Sequence, residues 1–369
     1  MRTFVEISRS RLAANYQAIR RALPEAVEIL AVVKADAYGH GAVEASRALA
    51  QAGARWFGVT SIEEGVELRR GGIPGGILVL AEPGPEGLNA LEEFDLAMAV
   101  HSVGQLRDLD RWARLREVCP RIHLELDSGM GRLGLAEAGA SEVAELLAAS
   151  PHLRLEGLAT HFASAEDLGS SQTEDQIRRF TRLVSDLAAR GVRPRLVHMA
   201  NSAALAYRPE TWASMVRPGL ALYGYLMPPR GGRVVEAPFH VAPALVWKAR
   251  VITVKDFGAG VPLGYNASFR TERPMRIGVL AAGYADGLDR RLSNGGKVLA
   301  AGRAVSIVGL VSMDVCLVDL TETPQVCAGE YVTLLGDAAA MAVHCGTIPY
   351  EILCRIGRRV KRVYTDVGL

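Results

Sequence analysis

Eight short apolar runs, each followed by a segment of helical periodicity, fill roughly the first 225 residues of the chain. The runs are 29–34 (ILAVVK), 56–60 (WFGVT), 76–81 (GILVLA), 95–100 (DLAMAV), 121–126 (RIHLEL), 155–160 (LEGLAT), 195–199 (RLVHM) and 215–223 (MVRPGLALY). A short run that is apolar along its length reads as a strand covered on both faces. Amphipathic helices are expected between the runs, for example at 42–52, 61–70, 103–116, 138–148 and 173–190, the last stopped by Gly191. Number and cadence suit a closed (β/α)8 barrel of the TIM type, typically ~250 residues long. A doubly wound open sheet competes. No GxGxxG follows the first run, which weakens the dinucleotide-binding form of that alternative.

Two segments stand outside the cadence. Residues 1–8 form a lone strand with Phe4, Val5 and Ile7, and 9–22 place Leu12, Tyr16 and Ile19 at helical spacing. Past Pro228-Pro229-Arg230-Gly231-Gly232 the texture changes to β-rich runs with glycine punctuation, at 243–257, 276–284, 297–300, 304–310, 315–320 and 330–335. Only 350–360 there looks helical. The expected plan is a barrel over 8–230, then a mostly antiparallel β domain over 231–369 that takes in the N-terminal strand 1–7.

Charge and cysteine usage exclude several classes. A net charge of +2 with no basic block makes no case for a nucleic-acid or membrane partner. No apolar run approaches the ~20 residues of a membrane span, and Met1-Arg2-Thr3-Phe4-Val5-Glu6-Ile7 is no signal segment. The five cysteines form no CxxC pair and read as reduced thiols, so a cytoplasmic protein without a metal site is expected.

In a parallel barrel, groups at the carboxyl ends of the strands converge on one mouth. Lys34 ends the first run. Lysine is rare in this chain, occurring at 34, 248, 255, 297 and 361 only, while arginine supplies the other basic side chains. Keeping lysine beside a buried strand suits an amine that must lose its proton and form a Schiff base, which arginine cannot do. Arg132 follows the fifth strand in Asp127-Ser128-Gly129-Met130-Gly131-Arg132, where glycines let backbone approach a ligand. His161 ends the sixth strand, and His198, Asn201 and Ser202 end the seventh. Asn201 or Ser202 can cap the next helix and leave amides facing an anion. Arg217 and Gly219 lie in the eighth strand or just past it, near where such barrels place phosphate sites. Taken singly, each of these has an ordinary packing explanation. Jointly, an amine, a phosphate cradle, imidazoles and guanidiniums suit pyridoxal phosphate.

The motifs AVVKADAYGHG, LDSGMGRLG, ATHFASA, HMANSAA, VRPGLALYG, PLGYNASF, GYADG and VSMDVCLVDL resemble, in this order, those of bacterial alanine racemases. The resemblance spans 1–369 and implies pyridoxal 5'-phosphate on a barrel with a β domain. It implies that Lys34 holds the cofactor and that Tyr265 is the second catalytic base. Tyr38, Asn201, Ser202, Gly219, Leu220 and Tyr350 match cofactor positions, mostly at the phosphate. His161 matches the residue against the cofactor ring, and Arg217 the partner of its nitrogen. Arg132 and Met313 match contacts to the substrate carboxylate, while Tyr284 and Asp314 line the site. In the family, Tyr265, Tyr284, Met313 and Asp314 come from a second subunit, so a homodimer with shared sites is implied.

These residues can racemise. Inversion needs one base on each face of Cα, and Lys34 and Tyr265 would each be acid in one direction and base in the other. A route through His161 and Arg217 would assist the phenol. Arginine also keeps the ring nitrogen unprotonated, because it does not release its proton, and a weaker electron sink discourages transamination. One position departs from the family. A lysine, commonly carbamylated, often precedes the motif's Asp by two residues; here it is Glu125, expected to orient Arg132. The reading is L- and D-alanine interconversion that supplies peptidoglycan, with a serine or broad-specificity amino-acid racemase as the alternative. A related decarboxylase is disfavoured by Arg217, and a non-catalytic cofactor-binding regulator by the β domain with Tyr265.

Overall fold

The computed structural model describes residues 1–81, 84, 87–232 and 235–367. It divides into two compact units, one of Ala13–Ala37 with Ala42–Val241 and one of Met1–Leu12, Tyr38–Gly41 and Ala242–Leu369.

In chain order, β1 (Thr3–Ser8) belongs to the second of these. The first is built on β2 (Glu28–Val32), β3 (Trp56–Val59), β4 (Gly76–Val79), β5 (Ala97–Val100), β6 (Arg121–Glu125), β7 (Arg154–Ala159), β8 (Leu196–His198) and β9 (Met215–Val216). These eight strands pair in parallel in sequence order and close as a barrel where β9 meets β2, Glu28 opposite Met215. The apolar runs become strands because both faces are covered, the inner one by side chains such as Leu30, Trp56, Leu78, Ala97, Leu196 and Met215. Helices Ala42–Gln51, Ile62–Arg70, Val103–Arg116, Ala140–Ala149 and Gln172–Ala189 alternate with the strands. Ser61 and Ser102 cap two of them by accepting from Glu64 N and Gln105 N.

The last run, expected as a strand over 215–223, is a strand for only two residues. Leu220–Tyr223 is a 3-10 turn whose side chains are all buried. An apolar run reports burial, not conformation, and Pro218-Gly219 ends the ladder.

The second unit is an eight-stranded sheet with β1, β10 (Leu245–Phe257), β13 (Met275–Leu280), β14 (Lys297–Ala300), β15 (Arg303–Val308), β16 (Cys316–Asp319), β17 (Tyr331–Leu335) and β18 (Lys361–Thr365), while β11 (Pro262–Leu263) and β12 (Phe269–Arg270) make a small hairpin. Its pairings are antiparallel except β1 with β18. Two helical expectations change. The helix expected over 350–360 runs only Pro349–Cys354, and a further helix, Ala338–His344, starts at an Asp337 cap that accepts from Ala339 N. No described helix is long and apolar enough to cross a membrane.

Candidate active site

Strand β2 stops at Val32, and the chain does not continue straight. Ala35, Asp36, Ala37 and Tyr38 all take left-handed backbone angles, with φ of 52°, 54°, 52° and 53°. Each such non-glycine residue costs roughly 1–2 kcal/mol, so the turn must be held from outside. Glu64 does much of this: its carboxylate accepts from Ala35 N at 2.7 Å and from Thr60 N at 2.6 Å, tying the turn to the end of β3. Asp36 Oδ1 accepts from Ala42 N at 2.8 Å, the start of the next helix. Lys34 thus stands, partly buried, at the start of a clamped turn at the barrel mouth.

Around it the barrel assembles cations and neutral imidazoles. Arg217 is buried just past β9. Its Nη1 donates to His198 Nδ1 and to His198 O, both at 2.9 Å. Its Nη2 donates to Thr160 O at 2.7 Å and faces His161 Nδ1 and Met199 O, each at 3.3 Å. The remaining donor, Nε–H, makes no hydrogen bond among the described residues. Burial pulls the Arg217 guanidinium down to about 10, with the Glu125 charge acting the other way, so it stays cationic near neutrality. Burial, then the charges of Arg217, Arg132 and Lys34, bring His161 down to about 3. His161 is therefore a neutral ring with Nδ1 as acceptor and Nε2–H as donor.

Asn201 is the cap, as its side chain accepts from Ala203 N and Ala204 N at 3.1 and 3.0 Å. Ser202 does something else. Its Oγ accepts from Gly219 N at 2.9 Å and Ala221 N at 3.2 Å, so a hydroxyl and the amides flanking Leu220 converge. On the opposite side, Asp127 Oδ1 accepts from Gly129 N, Met130 N and Gly131 N at 2.9, 2.9 and 3.1 Å, which shapes the loop that carries the exposed Arg132. The expected Glu125–Arg132 pair is not formed. Glu125 Oε2 lies 3.7 Å from His101 Nδ1 instead, because strand β6 presents it toward the end of β5.

The second unit carries the other expected residues. Tyr38 and Tyr350 are ring neighbours, with centroids 5.8 Å apart. Burial, and then the Tyr350 and Cys354 groups, push the Tyr38 phenol far above its ordinary range, leaving it a neutral donor. Tyr284 N donates to Ser312 O at 2.9 Å and Ala285 N to Met313 O at 3.0 Å, which sets Tyr284 beside Met313. This close approach needs Gly283, where a Cβ would sit 2.2 Å from Ser312 O. Asp314 pairs with Arg359 at 2.7 Å, and Arg359 in turn binds the fully buried Asp286 at 2.7 Å together with Arg2 at 2.6 Å. Tyr265, Tyr284 and Met313 are 68, 44 and 54 % exposed.

Residues 7–227 match the family model of the alanine racemase N-terminal domain, and 244–364 that of the alanine racemase C-terminal domain. An alanine racemase of Symbiobacterium thermophilum is 42 % identical over 98 % of this chain and 97 % of its own. The chain belongs to the alanine racemase family. Its structure is similar to that of the alanine racemase from Bacillus anthracis with bound L-Ala-P, at a TM-score of 0.89 and 36 % identity over 98 % of this chain and 95 % of the other. It is also similar to the alanine racemase from Bartonella henselae with covalently bound pyridoxal phosphate, at 0.87 and 29 % over 99 % and 100 %. As an alanine racemase, the protein has its barrel residues Lys34, His161, Ser202, Arg217 and Gly219 on one unit, and Tyr38, Tyr265, Tyr284, Met313, Asp314 and Tyr350 on the other.

Three residues of this site were not singled out from sequence. Glu64 stands three residues after the helix cap Ser61, and its carboxylate reaches past the cap to Ala35. His123 and Glu156 are polar residues within apolar strands, and both are buried. That break in pattern was the available signal.

Proposed function

We propose that this chain interconverts L- and D-alanine with pyridoxal 5'-phosphate at the barrel mouth, Lys34 and Tyr265 being the two proton-transfer residues. The observation that carries the reading is Arg217, buried, with its Nη donors engaged and its Nε–H unspent beside a neutral His161. A donor-only group in that place fits an unprotonated ring nitrogen. Lys34 would hold the cofactor covalently, His161 would lie along its ring, and the Ser202 hydroxyl, held by the Gly219 amide, with the Leu220 amide, Asn201, Tyr38 and Tyr350 would hold its phosphate end. Bound there, the cofactor supplies an electron sink for the charge left when Cα loses its proton. Lys34 takes or gives that proton on one face and Tyr265 on the other. Arg132, with Met313, would bind the substrate carboxylate, and Tyr284 and Asp314 would line the entrance. The barrel of 8–230 would thus hold the cofactor, and the β domain of 231–369 with strand 1–7 would supply the second base.

The exposed Tyr265, Tyr284 and Met313 support a homodimer in which the partner subunit's Tyr265 completes each site. A cytoplasmic setting, with D-alanine going to peptidoglycan, agrees with exposed thiols at Cys119 and Cys327 outside any disulfide.

Incubated with the cofactor, L-alanine is converted to an equal mixture of enantiomers, and kcat/KM for L-serine is lower. Formation of D-serine but no D-alanine would contradict the assignment. Arg132→Ala is expected to raise KM for alanine by roughly 10–100-fold, the worth of a charge-assisted contact, with a smaller change in kcat. Glu125→Gln, which loses its contact to His101 rather than to Arg132, changes KM less. Steady-state kinetics in both directions checks the pair.

A further inference from the structure

Behind Arg217 the barrel interior holds a line of polar groups that the reaction does not touch. His198 Nε2 is 2.8 Å from His123 Nδ1, and the two rings lie 5.0 Å apart at 63°. His123 Nε2 faces Glu156 Oε2 at 3.9 Å. Both of these facing atoms are buried and have no hydrogen-bond partner of their own. Glu156 sits low on β7, away from the strand ends that carry the site, with Arg121 Nη1 3.7 Å and Arg195 Nη2 3.5 Å from its carboxylate.

The line has only one consistent direction. Arginine has donors and no acceptor. His198 Nδ1 must therefore accept from Arg217, and a neutral imidazole that accepts at Nδ1 carries its hydrogen on Nε2. That hydrogen points at His123 Nδ1, which must accept, so His123 also carries its hydrogen on Nε2. The hydrogen there faces the Glu156 carboxylate across 3.9 Å, a charge contact longer than a hydrogen bond, and the negative charge favours a hydrogen on that nitrogen. Both rings are neutral: burial, then Arg217 and His123, bring His198 down, and burial also brings His123 down. Burial pushes the Glu156 carboxyl up, but the His123 ring and Arg121 outweigh it and leave it below its ordinary range. The chain gives the His123 ring its room at Gly157, where a Cβ would lie 2.3 Å from His123 Nδ1.

We propose that Glu156 is a positioning residue which, through His123 and His198, fixes the direction of the hydrogen bonds that end on Arg217, and so holds the guanidinium as a donor toward the cofactor. The proposal rests on the reading of Arg217 given above. A donor in place of the carboxylate, or nothing there, removes the negative charge that favours a hydrogen on His123 Nε2. If His123 then moves its hydrogen to Nδ1, it meets the His198 hydrogen head-on. If His198 also switches, it meets Arg217 donor to donor, and the guanidinium must shift.

The test is nitrogen-15 NMR of the holoenzyme labelled at its eight histidines, with pyruvate released per alanine racemised as a second readout. Wild type is expected to show His123 and His198 with hydrogen on Nε2 and bare Nδ1; hydrogen on Nδ1 of either ring would overturn the proposal without any variant. Glu156→Leu is expected to mix the two forms at His123 and to raise pyruvate per turnover several-fold, whereas Glu156→Gln, which keeps an acceptor oxygen, restores both. Arg195→Gln, which removes only the ion pair on the outer side of Glu156, should leave both readouts as in wild type. Unchanged ring nitrogens in folded Glu156→Leu would overturn the proposal. Changed nitrogens with unchanged pyruvate would sustain the hydrogen-bond line and overturn the reading of Arg217.

Discussion

Lys34→Ala is expected to lose alanine racemisation in both directions by about 10⁴-fold or more, the upper end of what one proton-transfer group contributes, since in the proposed function the same side chain would also be the covalent anchor. The chain offers no substitute. The other lysines, at 248, 255, 297 and 361, all lie in the unit that does not carry the barrel. The cations around His161 other than Lys34 are Arg217 and Arg132, and arginine does not release a proton at working pH. The fold should survive, because Glu64 and Asp36 clamp the strained turn after Lys34 through the backbone amides of Ala35 and Ala42. Enantiomer formation followed by chiral chromatography, with thermal unfolding as the control, checks this. Activity within tenfold of wild type would remove Lys34 from the chemistry.

Tyr265→Phe should lower the rate by roughly 10²–10⁴-fold in both directions through loss of one hydroxyl, and the loss should be one-sided in kind. With Lys34 serving its own face of Cα as proposed, one enantiomer is expected to go on exchanging its Cα hydrogen with solvent while inversion nearly stops. Stability should stay within about 0.5 kcal/mol, the usual range for surface changes, because Tyr265 is 68 % exposed and its O–H is not part of a buried network. The backbone that presents it is unusual: Gly264 has φ of 71°, and Asn266 and Ala267 follow at 57° and 49°. Those angles set the ring's direction and are untouched by the substitution. Equal loss of exchange for both enantiomers would mean that Tyr265 does not serve one particular face.

The barrel was legible in sequence because parallel strands buried on both faces leave uninterrupted apolar runs, and helices between them leave a different period. The runs at 29–34, 56–60 and 121–126 fall on β2, β3 and β6 within a residue or two. The same logic overreached at 215–223, where a buried 3-10 turn is as apolar as a strand. The left-handed turn after Lys34 had no clear local signal, since alanine and tyrosine disfavour it, a single aspartate favours it only weakly, and the stabilising carboxylate sits about thirty residues away at Glu64. In the candidate site, residues at strand ends could be picked out from sequence as candidates for chemistry: Lys34, His161, Ser202 and Arg217. What a side chain meets across the barrel was not. Glu125 looked like a partner for Arg132 along the chain, but the β5–β6 pairing turns it to His101. His123 and Glu156 are joined only by the β6–β7 register, in which His123 lies opposite Gly157.

The most direct test of two-sided proton transfer is to incubate the purified protein with L-alanine and pyridoxal phosphate in D2O and to follow D-alanine and Cα deuterium together. The account predicts that the D-alanine formed carries deuterium at Cα, because the proton removed by one residue is not the one returned by the other. D-alanine that forms while retaining its original Cα hydrogen, or deuterium entering L-alanine with no inversion at all, would contradict it.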